Sequence, residues 1–209
     1  MSPTFPTRHL LRAAAIGLAL AAASIATAQT WSEAGDAGET PATAQVTSGS
    51  GPLTQINGSL QSDPDVDMFC VDVTNPAAFS ASVQCVMAAD PSIWIFTPSG
   101  AGIVLNDVCM FSGKTVPAGW VGAGTCYIAV TQLSRQPQST GGAMWLSQLF
   151  TGPRAPDGPG AAGNLWYWAG GGPLPGVTPY TINLTGATFC QAAVPAEAHD
   201  WGTLKATYR

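Results

Sequence analysis

The sequence predicts an all-β protein, an antiparallel sandwich of the jelly-roll kind with an acidic N-terminal arm and a short C-terminal tail. Three observations predict it. Short runs rich in β-branched and aromatic residues recur along the chain, separated by turn signals such as Asn75-Pro76, Asp90-Pro91 and Pro98-Ser99-Gly100. No amphipathic helical stretch comes between them. The composition is poor in charge, at 9%, yet carries 24 Gly and 17 Pro, a balance that suits strands joined by turns.

In order along the chain, residues 1–28 read as a secretory signal. Arg8 and Arg12 form the positive region, Leu10 to Ile25 the apolar region, and Ala26-Thr27-Ala28 the small-residue cleavage pattern. That apolar run is too short and too rich in alanine to span a bilayer, and no later segment approaches the ~20 apolar residues a transmembrane helix needs. The expected location is therefore outside the cytoplasm, secreted or at the cell surface, with no transmembrane segment in the mature chain. What remains after the signal is one domain's worth of chain. It keeps all 12 acids but five bases, Lys114, Arg135, Arg154, Lys205 and Arg209, which argues against a nucleic-acid partner.

Residues 29–52 are polar, small and acidic, with Glu33, Asp36 and Glu39, and read as an N-terminal arm. The sandwich domain is expected over 53–190. Its strands are Leu53–Leu60, Val66–Thr74, Ala78–Val86, Ser92–Thr97, Gly102–Asn106, Thr125–Gln132, Ala143–Leu149 and Pro179–Thr185. In the second of these, Phe69, Val71 and Val73 alternate with Cys70 and Asp72, the pattern of a strand with one buried and one wet face. Residues 151–178 interrupt the strands with a Gly/Pro-rich loop that is long for a compact domain. Its Trp166, Tyr167 and Trp168 either cover the open side of the sheet or offer a platform on which sugar rings stack. The tail, 191–209, places Trp201, Leu204 and Tyr208 at helical spacing, suited to docking on the body.

Five cysteines, Cys70, Cys85, Cys109, Cys126 and Cys190, follow the signal, and export permits disulfides. None forms a CxxC, which leaves zinc poorly supported. A hairpin about Pro98-Ser99-Gly100-Ala101 returns its second strand to the level of Cys85, so Cys85 and Cys109 are the expected pair. The odd count leaves at least one thiol free or paired with another molecule.

Asp63, Asp65 and Asp67 crowd the entrance of the Val66 strand. Carboxylates at alternate positions repel one another unless a cation sits among them, and hard oxygen donors suit calcium; a solvated turn is the other reading. Catalysis is not expected. His199 is the one histidine after the signal, and three acids alternating on one segment suit a cation better than opposite faces of a sugar ring.

A set of pieces in fixed order then resembles the bacterial pre-peptidase C-terminal domain family. They are Glu33-Ala34-Gly35-Asp36, Ile56-Asn57-Gly58-Ser59-Leu60, Asp65-Val66-Asp67-Met68-Phe69, Pro91-Ser92-Ile93-Trp94-Ile95-Phe96, Leu105-Asn106-Asp107, Thr125-Cys126-Tyr127-Ile128-Ala129-Val130 and Tyr180-Thr181-Ile182-Asn183-Leu184. The resemblance runs from about Trp31 to Cys190. It implies a secreted, non-catalytic sandwich, related in fold to collagen-binding domains, in which the arm shares calcium with the acids before the second strand. Carried over, the ligands are Glu33 and Asp36 from the arm with Asp63, Asp65 and Asp67. Gly35 stands where the family often has Asn, and Cys70 where it is usually polar. The function this implies is a calcium-stabilised module that interacts with an extracellular protein or polysaccharide at the cell surface or in the matrix. A carbohydrate-binding module using Trp166, Tyr167 and Trp168 is the alternative.

Overall fold

A computed structural model describes residues 27–61, 64–84, 90–107, 114–146, 152–172 and 176–192. The signal segment up to residue 26, Asp63, the expected Cys85–Cys109 pair and the tail beyond residue 192 lie outside the described residues. The strands, in chain order, are β1 (Gln29–Ser32), β2 (Gln45–Val46), β3 (Ser48–Gly49), β4 (Leu53–Leu60), β5 (Val66–Val73), β6 (Ser80–Val83), β7 (Ser92–Phe96) and β8 (Gly102–Asn106). There follow β9 (Lys114–Val116), β10 (Gly124–Thr131), β11 (Arg135–Ser139), β12 (Gly142–Ala143), β13 (Tyr167–Gly170), β14 (Thr178–Thr185), β15 (Ala187–Phe189) and β16 (Gln191–Ala192). No described helix is long and apolar enough to cross a membrane.

The chain is all-β, and its two main sheets pack as a sandwich. One has the order β1-β4-β14-β6-β9 and the other β15-β5-β10-β7-β8, with β2 also paired to β5. Period-2 alternation fixes which side chains enter the space between them. Ile56 and Leu60 from β4, Ile182 and Leu184 from β14, Phe69, Val71 and Val73 from β5, and Ile128 and Val130 from β10 are all buried in one cluster.

The pairing is not wholly antiparallel. β1 joins β4, β2 joins β5 and β16 joins β3 in parallel. The cause is connectivity: the arm and the chain's last described strand reach their partners through long connections, which free them from hairpin geometry. The arm is thereby woven into both sheets. Gln45 grips the backbone of Ala34 with both ends of its carboxamide, and Ala37 is buried in the inter-sheet core.

β5 has no wet face over most of its length. Opposite Phe69 and Val71, the side chains of Val66 and Met68 are fully buried, and Cys70 is nearly so. Val66 and Met68 belong to a second cluster with Trp94, Phe96, Leu105 and Ala129, covered by Met144, Trp145 and Trp168. The cover is a third layer, the small sheet β12-β11-β13. Of the strand expected at Ala143–Leu149, the last three residues lie outside the described ones, and among the rest strand pairing stops after Ala143, because Met144 and Trp145 turn inward to fill the space. Trp94 stands at the centre, edge-on to Trp145 at 5.2 Å and to Trp168 at 5.7 Å between ring centroids. The three indole N–H groups donate to Thr131 Oγ1, the Arg154 carbonyl and the Glu39 carbonyl.

Among the described residues a disulfide joins Cys70 to Cys190, tying β5 to the segment between β15 and β16. This explains the non-polar choice at Cys70. Cys126 is a free, buried thiol whose pKa is pushed up to about 12, first by burial and then by the Asp72 charge, so it packs as a small apolar side chain.

Candidate metal centre

The acids of the arm and of β5 meet at one end of the inter-sheet space. Glu33 directly follows β1, and its N–H donates to the Asn57 carbonyl at 2.8 Å, extending that parallel ladder by one step. Its carboxylate is held at both oxygens: Ala37 N–H donates to Oε1 at 2.9 Å and Ser59 N–H to Oε2 at 2.8 Å. Gly58 makes room. A Cβ there would stand 3.0 Å from Glu33 Oε2 and 2.6 Å from Tyr180 Cζ, so a side chain would push apart the groups that the site brings together. Gly35, between Glu33 and Asp36, has φ +76, a left-handed turn that Gly adopts freely and Asn tolerates.

Asp67 lies on the inward face of β5 with no solvent exposure. Tyr180, from the facing sheet, donates its hydroxyl to Asp67 Oδ2 at 2.7 Å, while Oδ1 accepts from no donor among the described residues. Oxygen atoms of Glu33, Asp36 and Asp67 all lie within 4.8 Å of one another. The expected ligand set is thus partly assembled. Asp65 is almost buried beside the trio, but its Oδ2 accepts from Gln61 N–H at 2.5 Å, so it braces the turn into β5. Tyr180 was not among the expected site residues. An inward Tyr on an alternating strand reads as core, and nothing local marks the acid it faces.

The electrostatics follow from three carboxylates held together without an opposing charge. Among the described residues the ion pairs are Lys114–Asp90, Arg135–Glu39 and Arg154–Asp157, and none involves these acids. Burial, reinforced by the Asp65 and Glu33 charges, pushes Asp67 up to about 9 against the lowering effect of the Tyr180 hydrogen bond. Asp65 is raised too, first by burial and then by the charges of Asp36 and Glu33. Tyr180 is driven well above its usual range by burial and by Asp67.

For the metal-free protein the sign of the pH dependence is fixed. A raised carboxyl pKa means that the folded state binds a proton the unfolded state has released. The stabilisation is complete below 3.8 and is lost as pH rises towards about 9. Chelated protein is therefore expected to need more urea to unfold at pH 5 than at pH 8. A higher midpoint at pH 8 in chelator would contradict this electrostatic account.

The donor set fits a hard divalent cation. All three groups are carboxylates, one inward oxygen lacks a donor, and the positions of Glu33 and Asp67 are fixed by backbone N–H groups and a phenol before any ion arrives.

The three aromatics of the 151–178 loop divide. Trp168 is 5% exposed and belongs to the second core, so it offers no free face to a ligand. Trp166 and Tyr167 are 66% and 47% exposed, with their rings perpendicular at 5.3 Å. Covering the sheet therefore falls to Trp168, and only its two neighbours stand in solvent. Trp120 is half-buried against the inter-sheet core.

No family model matches the chain, and no curated protein matches it. Among solved structures it is similar to the crystal structure of Aeromonas hydrophila PliG, a periplasmic lysozyme inhibitor of g-type lysozyme. Identity is 11%, over 76% of this chain and 100% of that one, with a TM-score of 0.32. A likeness that distant carries no functional argument.

Proposed function

We propose that this chain is an exported, non-catalytic β-sandwich module of the pre-peptidase C-terminal kind, stabilised by calcium and acting at a cell surface or in the extracellular matrix. The observation that carries the reading is the carboxylate trio of Glu33, Asp36 and Asp67, in which a buried oxygen of Asp67 has no donor. Calcium supplies the missing positive charge. The residues do the rest: Glu33 and Asp36 bring the arm, Asp67 brings β5, and Tyr180 holds Asp67 from the opposite sheet. One ion would then join the three pieces of chain and stabilise the fold by linkage, since the unfolded chain does not gather these ligands. Extracellular calcium is abundant enough to fill even a weak site.

Calorimetric titration of calcium into chelator-stripped protein tests the reading. One site is expected, with a Kd on the order of 10⁻⁴–10⁻³ M, as in extracellular modules. Asp67→Asn is expected to weaken it by about tenfold or more, equivalent to about 1.4 kcal/mol. Absence of binding heat in millimolar calcium, or equal affinity in the variant, would remove the metal from the account.

The exposed Trp166 and Tyr167 favour a second reading, a carbohydrate-binding surface smaller than the three-ring platform. Retention on an immobilised polysaccharide that Trp166→Ala abolishes supports it. Failure to bind any glycan eliminates it.

A further inference from the structure

A second charged cluster lies away from the carboxylate trio. Lys114 opens β9 at an inward position, alternating with Val116, and its side chain is fully buried. Its Nζ is 2.8 Å from Asp90 Oδ1 and donates to the Asp90 carbonyl at 3.0 Å. Asp90, just before β7, has φ 41, a left-handed conformation that is costly for a non-glycine residue. Asp107 follows β8, is fully buried, and has no hydrogen-bond partner at either carboxylate oxygen among the described residues.

Topology brings Asp107 to the same end of the sheet as the pair. Ile93 of β7 is in register with Asn106 of β8, so the next step of that ladder sets Asp107 at the level of the chain leaving Asp90. Asn106 Nδ2 donates to the Thr115 carbonyl at 2.7 Å, which brings the end of β8 against β9 one residue from Lys114. The Asp90 and Asp107 charges both act on the Lys114 ammonium, while burial, the larger influence, drives its pKa down.

We propose that Lys114 and Asp90 condense into an intramolecular isopeptide bond. Nζ passes a proton across the 2.8 Å contact to the Asp90 carboxylate and, as the free amine, attacks Cγ of the resulting acid. The C–N bond forms, a C–O bond of Asp90 breaks, and that oxygen leaves as water with two of the three ammonium protons. An ammonium and a carboxylate become a neutral amide and one water, with no oxidant, reductant or cofactor required. Two effects drive the step. The reacting atoms are held at contact distance, which replaces a bimolecular encounter by a local one. Condensation also removes the fully buried Lys114 ammonium, a charge that is expensive to keep out of water, together with its partly exposed partner. The product would tie the entrance of β7, in one sheet, to β9, in the other.

Mass spectrometry of the reduced, denatured wild-type protein decides the matter, independently of how any variant folds. The expected result is a mass one water below that calculated for the mature chain, no tryptic cleavage after Lys114, and a branched peptide joining Lys114 to Asp90. Lys114→Arg and Asp90→Ala are expected at full mass. A wild-type chain at full mass, or a tryptic peptide ending at Lys114, overturns the bond.

Discussion

Trp94→Ala is expected to lower the stability of the fold by about 3–5 kcal/mol, the range for removing a large aromatic from a packed core. The indole fills the space between the middle sheet and the third layer, with Trp145 and Trp168 both edge-on to it. Phe96 meets the same two rings at 6.0 and 5.9 Å, so the variant leaves a void ringed by aromatics that cannot follow one another into it. Thr131 Oγ1 also loses its buried donor. Urea denaturation of both proteins checks the figure. A loss below about 1 kcal/mol, typical of surface sites, would mean that the third layer does not pack on the middle sheet.

Replacing both Cys70 and Cys190 by serine is expected to cost about 2–5 kcal/mol. The bond spans 120 residues of sequence with 5.4 Å between the Cα atoms, so it restrains most of the described chain when unfolded. It is also built into a hydrogen-bond relay. Thr47 Oγ1 donates to the Cys70 carbonyl at 2.7 Å and accepts from Cys190 N–H at 3.0 Å, so the arm, β5 and the start of β16 meet at this bond. Denaturation of the double variant beside the wild type measures the loss, and an unchanged midpoint would deny the bond any part in holding the last strands. Cys126 stays out of exchange because it is buried with a raised pKa.

How much could be read in advance depends on whether the signal was local. β4 and β8 were legible to the residue, because alternation and flanking turns lie within a few positions of each other. β2 and β3 were not. Two residues carry no period, and Gln45 becomes a strand residue only because Phe69 is its distant partner. β11 was hidden by Pro137 in its middle, and β9 by a lysine at an inward position. The wet face expected on β5 failed for a similar reason: Met68 is covered by residues far away in sequence, and Cys70 is buried and bonded to Cys190. At the site, Asp67 could be suspected from its neighbours, and Glu33 and Asp36 from family resemblance alone. Tyr180 was out of reach, since its partner is 113 residues away. The Cys70–Cys190 bond was equally out of reach, because spacing does not specify pairing.

The central claim is that one divalent ion joins the arm to both sheets through Glu33, Asp36 and Asp67. Thermal unfolding at pH 8, in saturating calcium and in chelator, tests it most directly. At calcium of about 100 times Kd the linkage is worth about 2.7 kcal/mol. For a chain of this size that corresponds to a rise of roughly 5–11 °C, at about 2–4 °C per kcal/mol. The account predicts that rise in the wild type and its loss in Asp67→Asn. The same midpoint in calcium and in chelator would contradict it.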